Sequence, residues 1–166
     1  SGLVLIAKNK SAAAKYSTLM QKEGGFNKQY EALICGKLSE LKGTFVDYLK
    51  KDGRTNTSAI VPADAAANDK EAKLSKLEYE VISYDEVKDI THVRIHLITG
   101  RHHQIRVQFE SRRHPLCGDY KYATADCGMD NAVKAVALKR NQIALCAVSL
   151  TIDNKTFSVT PDFVIN

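Results

Sequence analysis

Residues 91–119 read THVRIHLITGRHHQIRVQFESRRHPLCGD, a stretch that holds all five histidines and five of the seven arginines of the chain. Apolar and polar residues alternate over residues 92–97, which predicts a half-buried β-strand. Gly100 ends the alternation, and Ile105 and Phe109 follow one helical turn apart. The predicted unit is a strand, a glycine turn and a helix that begins among cations, an arrangement suited to meeting phosphate.

The composition indicates one folded domain with a basic surface. The chain has 166 residues, of which 44% are hydrophobic, enough for a substantial core. Its net charge is +5 and its pI is near 9.0, values that fit a nucleic-acid partner and equally an ordinary basic protein. No apolar run has the length of a membrane span or the form of a signal peptide, so we expect no contact with a membrane. We also expect a cytoplasmic monomer.

The cysteines favour a reduced protein. Cys35, Cys117, Cys127 and Cys146 are scattered and lack CxxC spacing. A zinc site built from Cys117, Cys127 and histidines remains an alternative, although its spacing matches no known zinc motif. We expect no metal and no cofactor.

Hydrophobic periodicity predicts many strands and few helices. Strands are expected at residues 2–8, 26–38, 44–51, 58–61, 74–85, 91–99, 143–153 and 156–161. Helices are expected at residues 12–22, capped by Ser11, and at 101–113, with a loop or short helix around 126–139. Because strands and helices do not alternate regularly, the predicted class is α+β, with flanking helices around a largely antiparallel, mixed sheet.

Four blocks of sequence carry a resemblance to a known family. They are FNKQYEAL (26–33), LITGRHHQIRVQF (97–109), HPLCGDYKYA (114–123) and IALCAVSLTI (143–152). In this order they resemble the signature blocks of the RluA-type pseudouridine synthases, and the pairing of TGRxHQIR with HPxxGDxxY is highly specific. The resemblance spans essentially the whole chain. It implies the pseudouridine synthase fold and an enzyme that isomerises uridines in ribosomal or transfer RNA without metal or cofactor.

The first residues resemble what directly follows another block of that family. SGLVLIAK (1–8) is similar to the sequence after the HRLDxxTSG motif, which carries the catalytic aspartate. The resemblance therefore implies an aspartate just upstream of Ser1. We expect residues 1–166 to form a catalytic domain that lacks its N-terminal part and is inactive alone. The alternative is an inactive RNA-binding protein of the same fold that never had the aspartate.

The resemblance implies three residues of the reaction site. Arg106 of HQIR would hold the upstream aspartate ionised, because a guanidinium fork suits a carboxylate better than an ammonium does. Tyr30 of NKQYEAL would stack on the target base, and Leu145 would pack beneath that base. The alternatives are that Arg106 forms a surface salt bridge and that Tyr30 and Leu145 are ordinary core residues.

The cation cluster predicts the RNA contacts. We expect phosphate or pocket contacts from Arg101, His103, Lys28, Arg112 and Arg113. Lys28 is equally consistent with a solvated surface lysine. His102 falls at a variable position of the family motif and is expected to face solvent, whereas Asp119 is expected to be a turn or cap residue that helps to position Tyr122.

An alternative of a different class is a metal-dependent nuclease or phosphodiesterase that uses His102, His103 and His114. Such an enzyme would need carboxylate ligands beside the histidines. Glu110 and Asp119 are the acidic residues available in the 98–119 stretch, which makes the alternative the weaker one.

Overall fold

The structure is a computed structural model that describes residues 1–21, 26–123, 129–136, 138–139 and 142–165. In this part of the chain, the strands are β1 (Asn27–Cys35), β2 (Lys42–Asp52), β3 (Thr57–Val61), β4 (Lys73–Asp85), β5 (Ile90–Leu97), β6 (Leu145–Ile152) and β7 (Lys155–Ser158). The helices are α1 (Lys10–Gln21), α2 (Ala63–Ala66), α3 (Gln104–Glu110) and α4 (Met129–Val136).

The strands form one antiparallel sheet in the order β3-β2-β4-β5-β1-β6-β7. A parallel bridge between Gly2 and Ala147 adds the chain's first residues to the edge of β6. The predicted α+β class is therefore confirmed. β6 and β7 form a hairpin, in which Asp153 and Asn154 have φ values of 48° and 61°, as a tight two-residue hairpin turn requires.

The sheet carries a core on each face. On one face Leu77, Ile95 and their neighbours pack against Ile105 and Phe109 of α3. This agrees with the apolar spacing of Ile105 and Phe109 in the predicted helix. On the other face a second cluster lies between β1, β6 and α4, with Cys35 and Cys146 among its members. The first cluster thus packs α3 against β1 and β5, and the second packs α4 against the opposite face.

The predicted strand at residues 2–8 is wrong beyond its start. Only Gly2 pairs with the sheet, and Val4 and Ile6 are each 80% exposed. The outer edge of β6 explains the difference. Its first half is occupied by residues 1–3 and its second half by β7, so residues 4–8 have no neighbouring strand to pair with.

The predicted helices are present, but they begin and end at other residues than predicted. The side chain of Asn9, rather than that of Ser11, caps α1 by accepting from the Ala12 N–H at 2.8 Å. The apolar residues Ala14, Leu19 and Met20 of this helix could face the core; Ala14 is exposed and Leu19 is half-buried, and the Met20 side chain lies outside the described residues. Helix α3 is shorter than predicted because turns occupy residues 101–103 and 111–113. Among the described residues, no helix is both long and apolar enough to cross a bilayer.

Candidate active site

A cleft of about 180 Å³ lies between the N-terminal end of α3 and the sheet. It is lined by Tyr30, Leu97, Arg101, His103, Gln104, Ile105, Arg106 and Leu145. The structure thus brings together all three residues of the predicted reaction site, and two of the predicted RNA contacts, Arg101 and His103, lie beside them. They come from β1, β6 and α3, which are far apart in sequence.

Arg106 is held in the cleft by Asp119. The Nε–H and an Nη2–H of Arg106 donate to the two carboxylate oxygens of Asp119 at 2.7 and 2.6 Å. The Arg106 side chain is 14% exposed and that of Asp119 is 1% exposed. Asp119 does lie in a turn, as predicted, but it is also the buried counter-ion of the arginine. A buried bidentate pair of this kind fixes the guanidinium plane.

Gly118 determines where Asp119 sits. Its φ is +84°, and a Cβ at this position would collide with the Gln142 carbonyl oxygen and lie 2.8 Å from Cδ1 of Leu138. Glycine is therefore the residue that allows the chain to pass here. The Asp119 N–H then donates to the Leu116 carbonyl at 3.0 Å, which closes the turn.

His103 lies between Arg106 and Tyr122. Its Nε2 is 3.1 Å from Nη1 of Arg106, and its Nδ1 is 2.8 Å from the Tyr122 hydroxyl. The Arg106 guanidinium lies over the Tyr122 ring at 4.7 Å. Burial and then the positive charge of Arg106 lower the pKa of His103 to about 4. His103 is therefore neutral at physiological pH.

His102 does not face solvent freely, so that prediction is wrong. It is half-buried, its ring stacks on that of His103 at 3.8 Å, and its Nδ1 lies 2.9 Å from the Ser58 hydroxyl of β3. Burial and the nearby charges of Lys51 and Lys121 lower the pKa of His102. The tertiary structure explains this burial, because Ser58 of β3 lies against the turn that carries His102.

Tyr30 owes its position to an irregularity of the sheet. The pairing of β1 with β6 shifts register between Gln29 and Tyr30, and such bulges re-aim side chains beside functional sites. Tyr30 is half-buried, and burial raises its pKa. It lines both the cleft and a second depression of about 250 Å³ that includes Lys28. The tyrosine therefore separates two neighbouring hollows.

Arg101 lines the cleft, and Lys28 lines the neighbouring depression. Nζ of Lys28 is 5.1 Å from the Phe26 ring centroid and 3.8 Å from the position that a Cβ on Gly100 would occupy. Burial lowers the pKa of Lys28, so it is more enclosed than a solvated surface lysine. Arg101 donates from Nε to the Leu74 carbonyl at 3.0 Å, and its side chain also lines the cleft.

Arg112 and Arg113 are not part of the cleft. They follow the other end of α3, about 10 Å along the helix axis from its start. Arg112 pairs with Asp47 through Nη1 and Nη2 at 3.1 and 3.2 Å, and it lies over the Phe45 ring at 4.0 Å. Arg113 is exposed, with a φ of 64°. Their RNA contacts remain predictions, and Arg112 already has a counter-ion.

The first residue of the chain lies against the cleft wall. The nitrogen of Ser1 is 2.9 Å from the Leu145 carbonyl oxygen, and the Ala147 N–H donates to the Ser1 carbonyl at 3.2 Å. Leu145 itself lines the cleft with Arg106. Ser1 thus directly contacts Leu145, a residue of the predicted reaction site.

A larger groove, of about 480 Å³, lies on the opposite face of the sheet. Two of its carboxylates already have partners: Glu80 lies 2.8 Å from Nζ of Lys42, and Glu78 lies 3.5 Å from Nδ1 of His96. This mixed charge gives the groove no preference for phosphate. We therefore take the smaller cleft as the candidate active site.

The histidines of the nuclease alternative have other partners. His102 contacts Ser58, His103 contacts Arg106 and Tyr122, and His114 lies 3.0 Å from the Cys35 carbonyl oxygen. Within the described ranges, no three His, Cys, Asp or Glu side chains are grouped to hold a metal ion. Cys127, one of the ligands of the zinc alternative, lies outside the described residues.

Sequence reasoning missed two residues of this site. Asp119 and Tyr122 were assigned to a turn and to what that turn positions, and neither was assigned a contact with Arg106. The available signal was that both residues belong to the HPLCGDYKYA block, which carries part of the family resemblance. The partners of Asp119 and Tyr122 depend on the tertiary structure, which the spacing of the motif does not show.

Comparison with known proteins identifies related chains. The sequence profile of a family described as RNA pseudouridylate synthase matches residues 1–111. An uncharacterised RNA pseudouridine synthase, YjbO of Bacillus subtilis, is 35% identical over 122 residues, which are 74% of this chain and 40% of that protein. Ribosomal large subunit pseudouridine synthase D of Vibrio vulnificus is 30% identical over 157 residues, 93% of this chain and 45% of the relative.

A solved structure shares the fold. The human RNA pseudouridylate synthase domain containing 1 protein superimposes with a TM-score of 0.68 over 93% of this chain and 62% of the other, at 24% identity. The present chain spans less than half the length of the curated relatives to which it is similar. The site described above thus represents part of what such proteins contain.

Proposed function

The chain belongs to the RNA pseudouridylate synthase family, and from that membership we propose that the protein is an RluA-type pseudouridine synthase acting on uridines in ribosomal or transfer RNA. The observation that carries this proposal is that Tyr30, Arg106 and Leu145 line one small cleft. The RluA-type resemblance assigns these three residues to base stacking, charge stabilisation and support of the base.

The proposed reaction is an isomerisation, so the protein has to position the target uridine while its bonds rearrange. The bond from uracil N1 to ribose C1′ breaks, the base turns, and a bond from C5 to C1′ forms. The C5 proton is lost and N1 gains one, so no electron acceptor takes part. The target base must leave its stack in the RNA and find an equivalent surface on the protein. In our proposal Tyr30 supplies that surface and Leu145 supplies the wall beneath the base.

Arg106 has the donors to hold a second carboxylate. Of its five N–H groups, three have acceptors among the described residues: two on Asp119 and one on His103. The remaining N–H groups, on Nη1 and Nη2, are available to an anion in the cleft. We propose that an aspartate ahead of Ser1 occupies this place, because Ser1 lies directly against Leu145. The guanidinium would keep that aspartate ionised in surroundings that favour its neutral form.

Asp119 is not proposed as the reactive carboxylate. Its side chain is 1% exposed, and both of its oxygens accept hydrogen bonds from Arg106. An aspartate that attacks or deprotonates the sugar needs an oxygen turned toward the substrate. Asp119 therefore serves to hold the arginine.

We propose that phosphates of the RNA bind at the mouth of the cleft. Arg101 lines the cleft and Lys28 lines the depression beside it, and neither has a carboxylate partner within the described residues. Arg113 is exposed at the far end of α3 and would extend the contact. Arg112 would contribute less, because Asp47 already neutralises it. The backbone contacts would orient the RNA without reading its sequence.

The proposal is tested by release of tritium from RNA labelled at uridine C5. A chain extended by the residues encoded ahead of Ser1 should release tritium, whereas residues 1–166 alone should give background. Turnover by the short chain would mean that the assignment of an upstream aspartate is wrong. RNA binding without turnover by the extended chain would favour the inactive RNA-binding alternative.

A further inference from the structure

The surroundings of His103 determine which of its nitrogens carries the proton. Nε2 faces Nη1 of Arg106 at 3.1 Å, and a guanidinium can only donate. Nε2 must therefore accept, and in the neutral ring the proton is on Nδ1. Nδ1–H then donates to the Tyr122 hydroxyl oxygen, 2.8 Å away. The contact with Arg106 therefore determines the tautomer of His103.

Tyr122 connects this contact to the sheet. Its hydroxyl oxygen also accepts from the Ser58 N–H of β3 at 2.8 Å, and its ring lies 4.7 Å from Cζ of Arg106. The same tyrosine therefore contacts the guanidinium face, the histidine and a backbone group of the sheet. Because Asp119 holds one edge of Arg106 and His103 holds Nη1, the guanidinium cannot rotate without breaking a hydrogen bond.

The backbone of His103 is held in an unfavourable conformation. Its φ is 53° and its ψ is 25°, in the left-handed region, and its side chain does not cap α3. Such a residue persists where its surroundings require it. The turn conformation aims the imidazole between Arg106 and Tyr122 instead of toward the helix N–H groups.

We infer that His103 and Tyr122 form a positioning pair that fixes the Arg106 guanidinium toward the cleft. The inference rests on the proposed function, since it gives the pair a purpose in holding a catalytic charge. It also gives His103 a role other than the RNA contact expected from sequence. Neither residue is assigned a proton transfer.

Protonation of His103 would break the arrangement. A protonated ring would place an Nε2–H against an N–H of Arg106. The groups that disfavour this charge are Arg106, His102 and Lys121, and Asp119 opposes them. Because the folded-state pKa, about 4, lies below the ordinary value of 6.5, the contribution of His103 to folding stability is complete above pH 6.5. It falls as the pH drops from about 6.5 to about 4, and is constant below that.

The first test is nuclear magnetic resonance of the extended chain with ¹⁵N-labelled histidine and arginine. We expect His103 to show the Nδ1–H tautomer, to titrate near pH 4, and to sit beside an Arg106 guanidinium with slow rotation about its Cζ–Nη bonds. An Nε2–H tautomer or a titration near pH 6.5 would overturn the inference. Because this readout needs no turnover, it remains informative even if the proposed enzyme activity is absent.

The second test is kinetic and uses matched variants. Tyr122→Phe removes the hydroxyl and keeps the ring, and we expect about a tenfold lower kcat with little change in KM, together with faster guanidinium rotation. Tyr120→Phe, a change of the same kind at a 61% exposed residue two positions away, should leave both unchanged. His103→Asn keeps a donor toward Tyr122 and tolerates the left-handed backbone, but it loses the contact with Arg106, so it should lower kcat likewise. Unchanged kcat and unchanged guanidinium rotation in both variants would contradict the positioning role.

Discussion

Arg106 depends on a counter-ion that lies thirteen residues further along the chain. The pair with Asp119 is nearly buried, with the two side chains 14% and 1% exposed. Two charges in such a place are tolerated because both carboxylate oxygens and three of the guanidinium N–H groups are hydrogen-bonded. Removal of one partner leaves the other charge without compensation, which costs more than the pair contributes.

We therefore expect Asp119→Asn to lower the free energy of unfolding by about 3 kcal/mol. Asparagine keeps the shape of the side chain, but its amide nitrogen would face a donor of Arg106. Urea unfolding of the variant and the parent chain measures the difference. The double variant Arg106→Met/Asp119→Leu should recover most of the loss, since an apolar pair leaves no buried charge. A loss below about 1 kcal/mol for Asp119→Asn would contradict the account of the pair.

Single residues differ in how far sequence could predict them. Arg106, Tyr30 and Leu145 were predicted to share a site through the family resemblance, and the structure brings them together. The contact of Asp119 with Arg106 could not be predicted, because the spacing of the motifs does not show which side chains meet. The burial of His102 was missed for a similar reason, since it depends on Ser58 of a distant strand.

At the scale of secondary structure, the edge of β6 forms one wall of the site. Residues 1–3 run along the first part of this edge, and Gly2 makes the parallel bridge to Ala147. Gly2 has a φ of +100°, and a Cβ there would lie 2.5 Å from both the nitrogen and the oxygen of Ala147. Only glycine allows so close an approach, so this contact sets the entry of the chain into the site.

Gly2→Ala should detach the first residues from β6. We expect the Ala147 amide, which donates to the Ser1 carbonyl, to lose hydrogen-exchange protection by at least about tenfold. The control is Gly53→Ala, because nothing lies within 4 Å of a Cβ at that position. Equal protection of Ala147 in the parent and in Gly2→Ala would show that the contact does not hold the segment.

Hydrophobic periodicity predicted most of the strands and helices, but it did not predict the residues at which they begin and end. β4 and β5 were predicted from periodicity, and the structure pairs them as antiparallel neighbours. The strand predicted at residues 2–8 shortened to a single bridge, because pairing requires a free neighbouring edge that apolar sequence cannot supply. The bulge at Tyr30 was also beyond prediction, since it arises from the register between β1 and β6.

At the scale of the whole molecule, clustering of cations in sequence overstates the charge available to RNA. Several of the cations are paired in the structure: Arg94 with Glu31, Arg106 with Asp119, and Arg112 with Asp47. Arg101 and Arg113 have no ion pair within the described residues. The charge that RNA can meet is thus distributed differently from what the sequence predicts.

The salt dependence of RNA binding distinguishes cations that already have a carboxylate partner from cations that do not. In the extended chain, Arg101→Ala should reduce the slope of log affinity against log salt by about 1, because one phosphate contact is lost. Arg113→Ala should reduce it more than Arg112→Ala. Lys50→Ala is the control, since Asp69 and Glu71 neutralise Lys50 at 2.8 and 3.1 Å. A larger change for Lys50 than for Arg101 would move the RNA-binding surface to the hairpin of β2 and β3.

The central claim is that Arg106 holds a catalytic charge in the cleft it shares with Tyr30. Turnover and RNA affinity of the extended chain, measured on the same RNA for the parent, Arg106→Ala, Arg106→Lys and the control Arg94→Ala, test it most directly. We predict that Arg106→Ala loses at least about a hundredfold in kcat with RNA affinity largely kept. Arg106→Lys should recover part of the loss, because an ammonium cannot make the bidentate fork, and Arg94→Ala should match the parent. Full turnover by a folded Arg106→Ala variant, or a loss of RNA affinity equal to its loss of turnover, would contradict the claim.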